Sequence, residues 1–188
     1  MDHFDKKYKC YVLSFHGFGG VKPDSVADFK QWELSVAQYI KNNHINKPVI
    51  IGHSIGGGMA MMLASDYPEL ISKIVVVDAL PCLEALGNPS FVAKQNPDCS
   101  SIVNQIVAIP TSQFEAMQER MIPLREVADT AHFRQVLNWS LTSDRKTMAE
   151  IFCQFTNTDL RKSISNIQCP SLILLESVFK TMKPAIQA

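Results

Sequence analysis

The chain has 188 residues, with 18 Lys plus Arg against 18 Asp plus Glu and a formal net charge of zero. That length sets one domain of ordinary size, or one core with an insertion. The balanced charge offers no basic stripe to a nucleic acid, and no apolar run reaches the roughly 18 residues of a membrane span.

Residues 1–9 lack the apolar core of a signal peptide. Cysteines stand at 10, 82, 99, 153 and 169, an odd number with no C-x-x-C pair. The expectation is five small buried hydrophobes, with neither a disulfide framework nor a zinc site. No repeat or low-complexity tract interrupts the chain.

Cys10-Tyr-Val-Leu-Ser-Phe15 reads as a buried strand ended by His16-Gly-Phe-Gly-Gly20. A helix follows Pro23 and Asp24, with Ser25 as N-cap and Asp28 three residues on. Val26, Phe29, Val36, Tyr39 and Ile40 form its apolar face, and Asn42-Asn43 ends it. A β-branched strand at 48–52 comes next.

The nine residues Val49 to Gly57 then carry the pattern Gly52-x-Ser54-x-Gly56 between that strand and a helix running to about Tyr67. To lift a serine hydroxyl clear of a sheet edge, the chain must turn from strand to helix within a residue or two. The apex residue is then forced into a strained conformation. A Cβ two residues either side of the apex is expected to clash, so glycine sits at both places. The new helix aims its N-terminal amides at charge that develops beside the hydroxyl. Such a pentapeptide alone is a chance match in many chains. The strand before it and the proline-stopped helix after it make it a nucleophile elbow.

Lys73-Ile-Val-Val-Val-Asp78 is a third strand, closing at Pro81. Buried runs separated by helices imply βαβ units and a parallel sheet. From Cys82 to about Ser165 the pattern is helical: 111–120, 124–138 and 145–153 are amphipathic and rich in Met and aromatic residues. Asp159–Ile167 is a short helix leading into a fourth buried strand, Cys169–Glu176. The expected organisation is a core at 1–81, a helical lid at 82–165, and a return to the core at 166–188.

On Gly52-His53-Ser54-Ile55-Gly56-Gly57, Ile74-Val-Val-Val-Asp78 and Ile167-Gln-Cys-Pro-Ser-Leu-Ile-Leu-Leu175, the chain resembles the α/β-hydrolase family of lidded serine esterases and lipases. The resemblance implies an α/β fold whose parallel sheet shows four of the usual eight strands here, with an inserted helical lid. It implies hydrolysis of an ester or similar acyl bond on a small molecule, with no cofactor and no metal. Ser54 would be the nucleophile and the backbone N–H of Ile55 an oxyanion donor. His16, Gly17 and His53 would line the pocket.

Two lengths depart from the family pattern. The oxyanion loop should precede the elbow by roughly 55 residues or more, yet only 38 separate His16 from Ser54. His16–Gly20 therefore resembles the glycine-bearing loop one strand later. The catalytic histidine should follow a further strand, but Ser177 to Ala188 contains none. The general base is thus expected beyond Ala188, and the chain is expected to lack both ends of the fold.

Of the histidines present, His3 and His44 read as surface, and His132 lies in the lid. His53, as the elbow's x residue, is expected to point away from the hydroxyl. The triad acid stays open. Asp78 fits a variant with the acid one strand early, and equally a strand-end residue capping local amides. Glu176 ranks behind it.

A module that binds without chemistry, or an inactive fragment, is the competing reading. Nucleotide binding through Gly17-Phe-Gly19 is disfavoured, because Lys22 stands where the third glycine belongs.

Overall fold

The computed structural model describes residues 4–125, 127, 129–177 and 179. Its elements in chain order are α1 (Phe29–Asn42), β1 (Val49–His53), α2 (Ile55–Asp66), β2 (Lys73–Val77), α3 (Ser100–Ala108), α4 (Thr111–Arg125), α5 (Thr130–Thr142), α6 (Arg145–Thr156) and β3 (Ser171–Leu174), with short 3-10 turns at Glu84–Leu86 and Ser163–Asn166. Residues divide into two compact units, 1–27 with 103–148 and 28–102 with 149–188.

The second unit holds the sheet. Strand order is β1-β2-β3, all parallel, with Val49 facing Lys73, His53 facing Val77 and Val77 facing Leu174. Parallel neighbours need a crossover. Here α2 supplies the one from β1 to β2, and a helical stretch without a described strand supplies the one from β2 to β3. The core forms where α2 meets the strands: Met61, Leu63, Ile74, Val76 and Ile151 are at most 2% exposed. Phe155 of α6 stacks edge-on against Phe29 of α1, centroids 6.0 Å apart, an arrangement that contributes about 1 kcal/mol beyond its buried area.

The outer strands carry exposed apolar side chains. Val49 and Ile51 of β1 are 50% and 58% exposed, and Leu172, Ile173 and Leu174 of β3 about half exposed. Both strands are edges.

Several expectations need correction. Cys10–Phe15 is no strand, and Tyr11, Val12 and Leu13 are exposed. An apolar run becomes a strand only where a neighbour's ladder takes up its N–H and C=O groups, and among the described residues the sheet has three strands. The N-cap of α1 is Asp28, whose carboxylate accepts from the Gln31 amide at 3.0 Å, rather than Ser25. Starting the helix three residues late leaves Val26 outside it and 73% exposed; Tyr39 is exposed as well. The run 124–138 is broken, its first residues ending α4 and the rest beginning α5 at Thr130 behind an Asp129 cap. A helix at 100–108 was not expected.

The cysteines are the largest correction. Cys99 and Cys153 form a disulfide across 54 residues of sequence, while Cys10, Cys82 and Cys169 are free. Of the free three, Cys82 alone is buried, and burial pushes its thiol up against the opposing pull of the Ala85 amide.

Among the described residues one charged side chain is buried. Glu33 of α1 is fully buried, its carboxylate paired with Lys30, which also pairs with Asp66 at the end of α2. Burial raises Glu33's pKa, Lys30 working against it. Lys30 is held up by its hydrogen bonds to Asp66 and Glu33, which outweigh its own desolvation.

In the first unit, the glycine loop is seated on the joint between α5 and α6. The Gly17 carbonyl accepts from the Asp144 amide at 2.6 Å, and the Gly19 amide donates to Ser143 Oγ at 3.0 Å. A Cβ on Gly17 would come within 2.7 Å of the Thr147 side chain, and its φ of +86° independently favours glycine.

Candidate active site

β1 and α2 meet at Ser54, with no residue between strand end and apex and none between apex and helix start. Ser54 has φ 51° and ψ −118°, well outside the regions open to a residue with a Cβ. The strained apex expected from the sequence is there, and the serine is exposed.

Backbone bonds hold it on three sides. The Ser54 amide donates to the Val77 carbonyl at 2.8 Å, extending the β1–β2 ladder by one residue. The Ser54 carbonyl accepts from Gly57 and Gly58 at 2.8 and 3.1 Å, the first bonds of α2. Its side chain makes no capping bond. The amide of Ile55 is the first of the helix and has no carbonyl four residues back within α2 to bond. It stands at the positive end of that helix, directly after the hydroxyl-bearing residue.

The glycines divide the work differently from expectation. A Cβ at Gly52 would lie 2.0 Å from the Gly56 carbonyl oxygen, so strand and helix approach too closely for any side chain there. At Gly56 a Cβ would meet nothing within 4 Å, and the expected clash is absent. The closely packed helix glycines are the next two. A Cβ on Gly57 would strike Ala79 at 2.7 Å, and one on Gly58 would strike the Phe155 ring at 2.4 Å. The run Gly56-Gly57-Gly58 was the available signal for them.

Because His53 faces Val77, Ser54 and Asp78 are the next residues in register at the carboxyl ends of adjacent strands. That is where open parallel sheets bind ligands. Asp78 has φ 56°, donates its amide to the Leu174 carbonyl at 2.7 Å and accepts the Glu176 amide on Oδ1 at 3.0 Å. Its carboxylate thus caps the backbone leaving β3. Glu176 is exposed, its amide engaged in that bond.

Gly52 faces α2, so by strand alternation His53 shares a face with Val49 and Ile51. His44 lies before β1, at the strand end opposite Ser54. In the other unit, exposed His16 holds Asp24 through Nδ1 at 2.5 Å, beside Gly17. Exposed His132 pairs with Asp129 at 3.1 Å; the Ala131 amide and then His132 hold that carboxyl below its usual range. His3 lies outside the described residues. No group of three His, Cys, Asp or Glu side chains among the described residues could hold a metal ion, and no described helix is long and apolar enough to cross a membrane.

Comparison with known proteins bears on the same residues. The family profile described as alpha/beta hydrolase fold matches residues 1–174. The Serratia proteamaculans (strain 568) protein named "Putative carbamate hydrolase RutD" is 29% identical over 175 residues, covering 87% of this chain and 61% of that protein. The crystal structure of a hydrolase from Pseudomonas aeruginosa PA01 superposes with a TM-score of 0.66 at 16% identity, over 86% of this chain and 58% of that one. A carboxylesterase structure from Nitrososphaera gargenis gives 0.63 at 17% identity, over 93% and 66%. These low-identity structures speak for the fold alone. The chain spans about three fifths of the length of the Serratia relative.

Proposed function

The chain belongs to the alpha/beta hydrolase fold family, and from that premise we propose that it acts as a serine hydrolase on an ester or similar acyl bond of a small molecule, with Ser54 as nucleophile. The observation that carries this reading is the Ser54 backbone, strained at φ 51° and ψ −118° and held between the Val77 carbonyl and the α2 amides. Strain of that kind persists only where surrounding structure enforces it, and it clusters at sites of chemistry.

In the proposed reaction Ser54 Oγ attacks the acyl carbon and its proton passes to a histidine base. The carbonyl oxygen takes up the negative charge, stabilised by the Ile55 N–H at the head of α2. Collapse expels the alcohol or amine, and water then releases the acyl group. The Asp78 carboxylate is the acid proposed to orient the base. Its bond to the Glu176 amide supports the capping role as well, so both stay within the proposal. His53 and Gly56 border the proposed nucleophile.

A second reading has one observation behind it. Of the histidines in the unit that contains Ser54, His53 sits on the face opposite α2 and His44 at the far end of β1. On that reading the elbow is built but unarmed, and the chain binds without turning over.

A fluorophosphonate probe separates the two, since it reacts fast only with a serine activated by base and oxyanion hole. Stoichiometric labelling by intact mass, lost in Ser54→Ala, supports the hydrolase reading for this chain. Absence of labelling supports the unarmed elbow.

A further inference from the structure

Residues 82–102 are tied along the segment 153–161, and from Pro89 onward the ties fall in reverse order. The Leu160 amide donates to the Pro81 carbonyl at 2.8 Å. Arg161 donates through Nη1 and Nη2 to the carbonyls of Pro89 and Phe91 at 2.7 and 2.6 Å. Asn157 brackets Lys94, accepting its amide at 3.0 Å and donating to its carbonyl at 2.7 Å. Cys99 closes the line by its disulfide to Cys153.

Arg161 is itself fixed by Asp159, which its guanidinium holds below the usual carboxylate range. Apolar burial contributes little here, for no side chain from 83 to 102 is buried and Val92 is 79% exposed. A stretch held by a few solvent-exposed hydrogen bonds belongs to the low-stability end of a fold. Its covalent end tie therefore dominates.

We propose that the Cys99–Cys153 disulfide is a reversible redox latch on this strap. Both cysteines are half-buried, so a small dithiol reductant reaches them. Its thiolate attacks one sulfur, the protein disulfide breaks to a mixed disulfide and one free thiol, and the second reductant thiol displaces the other cysteine. Two electrons and two protons pass to the protein, and the reductant leaves as its disulfide. Released at Cys99, the strap loses its covalent tie while its hydrogen bonds to Asn157 and Arg161 remain, and its 94–99 stretch opens.

The latch reaches the elbow at both ends. The strap is rooted at Pro81, just beyond Asp78 on the strand whose Val77 carbonyl holds Ser54. Cys153 lies two residues before Phe155, whose ring packs on Gly58 of the nucleophile helix. An effect on Ser54 reactivity rests on the hydrolase reading, whereas strap release does not.

The test is tryptic cleavage after Lys94 in the full chain, with and without dithiothreitol. Lys94 has both backbone groups bonded to Asn157 in the latched strap, so reduction should raise its cleavage rate about tenfold, the size of a local opening penalty removed. Circular dichroism should stay unchanged, and the C99S/C153S variant should cleave at the reduced rate in either buffer. Three results overturn the latch: Cys99 and Cys153 remain alkylatable after oxidation with glutathione disulfide, or Lys94 cleavage is indifferent to reductant, or reduction unfolds the whole chain. Unchanged fluorophosphonate labelling together with accelerated cleavage would keep the latch and remove only its link to Ser54.

Discussion

A Cβ on Gly52 would lie 2.0 Å from the carbonyl oxygen of Gly56, whereas a Cβ on Gly56 itself would touch nothing within 4 Å. The two glycines of one pentapeptide therefore have opposite tolerances. Gly52→Ala should cost more than about 3 kcal/mol, because the clashing atom is backbone and cannot swing away. Gly56→Ala should fall within about 1 kcal/mol of the parent, or stabilise slightly through helix propensity. Urea unfolding of the two variants checks both numbers.

Ser54 occupies a conformation that suits glycine. Ser54→Gly should raise stability by about 1–2 kcal/mol through relief of that strain, while Ser54→Ala should leave it nearly unchanged. Thermal unfolding reads the difference, and both variants should lose probe labelling. A Ser54→Gly variant no more stable than Ser54→Ala would show that the backbone at 54 is not strained.

Asp78 can be divided into its two roles. Asp78→Asn keeps an Oδ1 acceptor for the Glu176 amide and tolerates positive φ, so the melting temperature should hold. If Asp78 orients the base, turnover should fall about 10⁴-fold with stability intact. If it only caps the strand end, turnover should stay and Asp78→Ala should cost about 1–2 kcal/mol.

Glu33 sets a pH dependence with a definite sign. Its folded pKa lies above its unfolded one, so its contribution to stability is full below the unfolded value and is lost as pH rises through the folded value. Glu33→Gln should therefore flatten the stability–pH curve above the ordinary carboxylate range and gain relative to the parent toward neutral pH. Lys30→Met, which strands the buried carboxylate, should cost about 2–3 kcal/mol at pH 8 and less at pH 5. Chemical denaturation across that range measures both.

Loss of the disulfide should lower stability by about 2–4 kcal/mol under oxidising conditions, given the 54-residue separation it closes. Cys99→Ser and Cys153→Ser should be equivalent, and the parent in dithiothreitol should match them.

What could be read in the sequence was whatever its near neighbours enforce. Val49 to Gly57 announced strand, apex and helix because such a turn needs its residues in that order. Lys73–Val77 and Ser171–Leu174 announced strands because β-branched and aliphatic runs suit a parallel sheet. The α1 face was half legible: Phe29, Val36 and Ile40 are buried, but Asp28 competed with Ser25 for the cap, and periodicity does not arbitrate between caps.

Residue order was enough for the family, the parallel core strands and the strained apex at Ser54, since each follows from residues adjacent in the chain. Folding in three dimensions set which glycines have no room for a Cβ, that Cys10–Phe15 stays out of the sheet, that Glu33 is buried beside Lys30, and that Cys99 pairs with Cys153. Each of these is a contact between residues that chain order does not make neighbours. A clash, a ladder partner, a buried charge and a crosslink exist only once folding has set the two sides at a distance, and no local pattern encodes that distance.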